Sequence, residues 1–139
     1  MFRRFIVMAL MLSLVVSRTA DADTEPTAAA LSASMVWLEK LDARDYVATW
    51  QSAASTFKAA LSVEAWQQAS RPVMEPLGSV KSRSKASATY TKTLPGAPDG
   101  EYVVLQFNSR YENKAEALET VVATLDTDGQ WRVGGYFIR

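Results

Sequence analysis

The chain has 139 residues, 15 basic and 15 acidic side chains, and neither cysteine nor histidine. That length allows one domain with an added segment, and zero net charge argues against a nucleic-acid protein built on a basic face. Without cysteine or histidine there is no disulfide, no thiolate nucleophile, no zinc–cysteine site and no serine–histidine or cysteine–histidine arrangement.

The N-terminus reads as an export signal. Arg3 and Arg4 form a short positive region, and Phe5 to Val16 are apolar apart from Ser13. Ala20 and Ala22 then fit the small-x-small pattern that signal peptidase cuts. Twelve residues rise only about 18 Å as a helix, short of the roughly 30 Å hydrocarbon core. Residues 1–22 are therefore expected to be a signal peptide cleaved after Ala22, with 23–139 as a single domain in the periplasm or outside the cell. Removing 22 of the 139 residues takes Arg3, Arg4, Arg18 and Asp21 away. The 117 residues left carry 12 basic and 14 acidic groups, a net charge of −2 that gives no strong pull toward anionic membranes. No stable membrane insertion is expected after cleavage.

Beyond the signal, twelve alanines lie between Asp23 and Pro76, whereas all six glycines lie at or after Gly78. Alanine favours helix and glycine breaks it. Helices first and strands after predict an α+β domain: two to three N-terminal helices on a curved antiparallel sheet of four to five strands.

Pro26 suits the first turn of a first helix, in which Leu31, Met35, Leu38 and Leu41 recur at helical spacing beside Trp37. Asp45 is a capping residue for a second helix carrying Tyr46, Trp50, Ala53, Phe57 and Leu61 on one stripe. Ser62 caps a third, bearing Val63, Trp66 and Ala69, which Arg71-Pro72 and Glu75-Pro76 end. The three tryptophans read as core anchors.

From Leu77 the period becomes two. Val80 to Leu94 forms one long strand or two short ones, and residues 95–100 are dense in turn formers. Glu101 to Tyr111 alternates, with Val103, Leu105 and Phe107 on one face. After a turn at Asn113-Lys114, Leu118 to Thr127 and Gln130 to Ile138 make a hairpin. A three-residue turn, Thr127 to Gly129 with glycine left-handed, pairs Leu125 with Trp131 and Ala123 with Val133. It also sets Val121 opposite Gly135 and Glu119 opposite Phe137, with Glu119 pointing to the core side. Arg132, Tyr136 and Ile138 would then share the outer face with Thr120, Val122 and Thr124, a surface that also suits a homodimer.

Three sets of residues resemble the domain-of-unknown-function family 4019, small exported bacterial proteins: Trp37-Leu38 with Asp45-Tyr46 and Trp50; Leu94 to Tyr102; and Gly129 to Tyr136. The resemblance implies almost nothing about activity. The element order is also similar to cystatin-like and nuclear-transport-factor-like cone folds, by analogy.

Glu119 is the sharpest candidate site residue, since a carboxylate in a dry interior has its pKa raised unless it is paired. Arg83, Tyr102 and Tyr136 join it as ligand-binding candidates. Lys81, Arg83 and Lys85 would share one face of an unbroken strand, either as an anion-binding stripe or as guards against edge pairing. A pairing of Arg83 with Glu119 needs a bulge or break between Val80 and Ala86. Asp126-Thr127-Asp128-Gly129 matches the start of a calcium loop but lacks its later ligands. No catalytic residue is assigned, and no cofactor or metal is expected. The leading expectation is a non-enzymatic exported domain that binds an unknown protein or a small ligand. The alternatives are a cone-fold enzyme using Glu119 as acid or base, and an envelope component held by an uncleaved N-terminus.

Overall fold

A computed structural model describes residues 25–139, so the signal peptide and its cleavage point lie outside the described residues. The alanine-rich half forms α1 (Glu25–Asp42), α2 (Tyr46–Gln51), α3 (Ser55–Ala60) and α4 (Val63–Met74), with a 3₁₀ turn at Glu75–Leu77. The second half forms β1 (Val80–Thr91), β2 (Tyr102–Tyr111), β3 (Lys114–Leu125) and β4 (Trp131–Ile138). All four strands pair antiparallel in the order β1-β2-β3-β4, with α1 laid across one face and touching each of them. The α+β class is as expected, with four strands and, among the described residues, four helices in place of the two to three expected. Among the described residues, no helix is long and apolar enough to cross a membrane.

The first helix buries Thr27, Ala30, Ser34, Trp37, Leu38 and Leu41. Its inward stripe is thus rotated from the expected one, leaving Met35 exposed. Small residues let this helix approach the sheet, and Trp37 fills the space between them. The Asp45 side chain accepts from the Ala48 amide, and that of Ser62 from the Ala65 amide, as both caps were read.

The expected second helix is two helices. Its stripe is continuous in sequence, but the chain leaves helical geometry at residues 52–54, where the Ala54 amide donates to the Val133 carbonyl of β4 (2.8 Å). Asp126, in the β3–β4 connection, then accepts from both the amide and the hydroxyl of Ser55, capping α3 from outside the helix. A tertiary contact has replaced a turn of helix. The fourth helix also runs past its expected end: Pro72 lies inside it, and the extension buries Met74. Pro72 has no amide to offer the carbonyl four residues back, that of Gln68, so the helix runs on to Met74 with one ladder bond fewer.

The three helical tryptophans act as core anchors, each with its one donor satisfied. The Trp37 indole donates to the Thr49 carbonyl, that of Trp66 to the Thr49 hydroxyl, and that of Trp50 to the Leu61 carbonyl. Trp66 packs edge-on to Phe57 at 5.0 Å, and Trp37 meets Tyr136 at 5.5 Å between ring centroids.

The closing hairpin pairs Leu125 with Trp131 and Ala123 with Val133, and Gly129 takes a left-handed φ of 81° in the turn. Beyond Val133 the expected register is off by one. Gly134 is an extra residue, so Val121 lies opposite Tyr136, Thr120 opposite Phe137, and Glu119 opposite Ile138. A bulge of this kind exchanges the two faces of the strand beyond it. Tyr136 and Ile138 therefore pack against the core instead of lining the outer face, and Phe137 points out, 64% exposed. The turn before β3 likewise falls at Glu112-Asn113, because Lys114 already pairs with Tyr111.

Strand β1 carries two such irregularities, at Lys81 and at Ala86. The first turns Arg83 to the same face as Val80, opposite Ser109, and divides the expected basic stripe.

Gly78 links the helical half to β1 with φ at 72°, and a Cβ added there would lie 2.8 Å from Glu112 Cβ. The Gly78→Ala substitution should lower the unfolding free energy by at least the roughly 1–2 kcal/mol of a left-handed non-glycine residue. Urea denaturation of both proteins measures it, and equal midpoints would contradict the assignment.

Candidate functional site

The inward face of the sheet changes character along its length. On β2 the inward residues run Val103, Leu105, Phe107, Ser109 and Tyr111, all buried. The apolar end meets the helices, and the polar end surrounds Glu119, which is fully buried on β3.

Glu119 is saturated with donors. Its Oε1 accepts from Arg83 Nε at 2.8 Å and from the Ser109 hydroxyl. Its Oε2 accepts from Tyr111 at 2.9 Å and from Tyr136, with Arg83 Nη2 at 3.3 Å. A carboxylate offers about four lone-pair positions, and two strong donors per oxygen occupy them all. Arg83 extends its other edge to Asp42, with Nη1 at 2.8 Å and Nη2 at 2.9 Å from the two carboxylate oxygens. Nη2 also donates to the Tyr111 hydroxyl at 3.1 Å. Asp42 closes the last turn of α1, where a negative charge opposes the helix dipole and the arginine compensates it.

The electrostatics follow from these contacts. Burial pushes the Glu119 carboxyl up, but the hydrogen bond and charge of Arg83, with the Ser109 and Tyr136 hydroxyls, outweigh it and hold the group below the ordinary 4.5. The expected raised pKa is therefore corrected: the arginine supplied by the β1 bulge reverses its sign. Burial also opposes the charge on Arg83, yet Asp42 and Glu119 more than offset it and raise its pKa. Tyr111 is pushed up to about 12, first by burial and then by the Glu119 charge. Tyr136 is raised further from the same two causes. Both tyrosines are thus neutral donors to a permanent carboxylate at neutral pH.

Of the four candidate residues, the structure brings Arg83, Glu119 and Tyr136 together and leaves Tyr102 apart, its hydroxyl donating to the Pro98 carbonyl in the β1–β2 loop. Asp42, Ser109 and Tyr111 complete the cluster, and the sequence reading had missed them. Ser109 and Tyr111 were signalled by phase, since both continue the inward alternation of Val103, Leu105 and Phe107. Asp126 and Asp128 are engaged by Ser55 and by Arg132, which reaches both at 3.1 and 2.8 Å. Among the described residues, no group of three acidic side chains is placed to hold a metal.

A carboxylate with no free lone pair, no exposure and a depressed pKa is a poor general base. Its chemistry is that of an internal ion pair tying α1, β1, β2, β3 and β4 together. Glu119→Gln should lower the unfolding free energy by roughly 3 kcal/mol, the low end for breaking a buried pair because Asp42 still holds Arg83. A depressed pKa contributes stability above the ordinary glutamate value that is lost as pH falls through the native one. The variant's stability should therefore decline less between pH 5 and pH 2 than that of the natural chain, measured by chemical denaturation at each pH. The raised Tyr111 predicts the opposite limb: its contribution holds below about pH 10 and is lost as pH rises through about 12.

No curated protein and no solved structure matches the chain, and the analogy to cone folds drawn from element order and the final Gly-x-Trp strand is not confirmed by them. Residues 33–136 match the family described as "Protein of unknown function (DUF4019)". That span holds the whole cluster, from Asp42 to Tyr136, and most of the chain, which therefore belongs to this family.

Proposed function

We propose that this chain is an exported, non-catalytic domain that binds a protein partner or a small ligand. The observation that carries the non-catalytic part is the saturation of Glu119: the one fully buried carboxylate among the described residues accepts from four side chains and has no position left for a substrate proton. Export is supported by Arg3-Arg4, the apolar run to Val16 and the Ala20-x-Ala22 pattern. The alternative of an enzyme with Glu119 as acid or base gains no support from the geometry, because Arg83 occupies the place a substrate would need.

Two measurements test this reading. Intact-mass analysis of the chain expressed with its own N-terminus should find a periplasmic species beginning at Asp23, and a cytoplasmic species retaining the leader would contradict export. In a thermal-shift screen, compounds that raise the melting temperature of the natural chain should raise that of Glu119→Gln by a similar increment. A response confined to the natural chain would make Glu119 part of the ligand site and contradict its purely internal role.

A further inference from the structure

The two edges of the sheet are built differently. An edge strand exposes unpaired backbone groups and invites a further strand unless charge, proline or irregularity blocks it. Strand β1 carries Lys81, Lys85 and two register shifts. Strand β4 is covered at Val133, whose carbonyl accepts from the Ala54 amide, but from Gly134 to Ile138 it has neither charge nor proline. Arg139 exchanges both backbone bonds with Leu118, at 2.9 and 3.1 Å. Antiparallel alternation then directs the backbone of Gly135 and Phe137 to β3 and turns the N–H and C=O of Tyr136 and Ile138 to the free edge. Among the described residues, no backbone group from another element meets those four. Beside this edge lie two adjoining spaces of about 350 and 270 Å³, the first against α3 and the second against α4. Trp66, Tyr136 and Phe137 line both, Leu61 walls the first and Met74 the second. Among the described residues, no charged side chain lines either.

We infer that the free edge of β4 takes an extended segment of a partner protein as a fifth strand, with apolar side chains at alternate positions seated against α3 and α4. Main-chain bonds to Tyr136 and Ile138 set the register, and the two spaces select the side chains of one face. Same-face residues of a strand lie about 7 Å apart, so successive ones enter the adjoining spaces. At roughly 30 Å³ per group, each space holds at least one leucine side chain. Charge complementarity sets the class: a charged side chain would lose its water there with no counter-charge to meet. A second copy of this chain fits less well. Its β4 has Tyr136 and Ile138 packed against its own core, leaving no inward side chain to give, and its β1 would bring Lys81 and Lys85. The open edge spans about 17 Å, and pairing over that length falls short of the roughly 1,000 Å² of a stable dimer. The inference rests on the protein-partner half of the binding proposal and deepens it.

The test titrates the capped peptide acetyl-KTVTLTVTK-amide into the natural chain and follows amide chemical shifts and solvent exchange. Binding should be saturable. The Tyr136 and Ile138 amides should exchange about tenfold more slowly in the complex, whereas those of Gly135 and Phe137, already bonded to β3, should change less. Two further peptides carry N-methyl groups on either the odd or the even residues, and one of them should lose about tenfold in affinity while the other keeps it, because alternate residues face β4. Ala60→Lys and Val73→Lys change exposed residues that line the two spaces. With the fold intact by circular dichroism, each should weaken the peptide about fivefold, as a guard charge does at an edge. No saturable binding, binding without slower exchange at 136 and 138, equal affinity of the two methylated peptides, or unchanged affinity in both variants would each overturn the inference. Saturable shifts centred on another face would overturn it while leaving partner binding in place, so its failure is distinct from failure of that reading.

Discussion

The charge on Glu119 organises the polar end of this fold. A carboxylate with no solvent contact is tolerable only when its charge is matched and its lone pairs are filled. Meeting both conditions takes a residue from each of five elements: Asp42 from α1, Arg83 from β1, Ser109 and Tyr111 from β2, Glu119 itself from β3, and Tyr136 from β4. Two backbone irregularities make the constellation reachable. The extra residue at Lys81 turns Arg83 inward, and the extra residue at Gly134 turns Tyr136 inward. Had β1 kept strict alternation, Glu119 would have lost Arg83, the counter-charge that outweighs its burial; had β4 kept it, the Tyr136 donor would have been lost.

This dependence explains the division of the core. Toward the β3–β4 turn the inward residues are Val103, Ala123 and Val133, and the aromatic group of Trp37, Trp66 and Phe57 packs beneath the helices. Toward the other end, hydroxyls and charges take over. Tyr136 belongs to both regions: its ring packs at a tilt against Trp37 and its hydroxyl donates to Glu119.

Much of the architecture was legible because it is local. The change from alanine to glycine placed the boundary between helices and strands, and Asp45 and Ser62 cap helices where they were expected to. The Leu125–Trp131 and Ala123–Val133 pairs followed from turn chemistry and apolar matching, and they correctly put Glu119 on the core side. The condition for pairing Arg83 with it, a bulge before Ala86, was also readable. What escaped the sequence is non-local. Nothing near Gly134 distinguishes a bend from an inserted residue, so Tyr136 and Ile138 were assigned to the wrong face. The unbroken stripe from Tyr46 to Leu61 conceals the break at Ala54, whose amide bonds a strand nearly eighty residues later. Asp42 carries no local mark beyond an acidic residue at an unfavourable helix end.

Glu119 must be a fixed, paired anion for the polar end of the sheet to hold together as described. Site-specific ¹³C NMR of its side-chain carboxyl carbon across pH reads that directly. A paired Glu119 should give a carboxylate resonance throughout the neutral range and a titration midpoint below the ordinary 4.5. A midpoint near neutrality would mean that burial outweighs Arg83, and the ion-pair interpretation would fail.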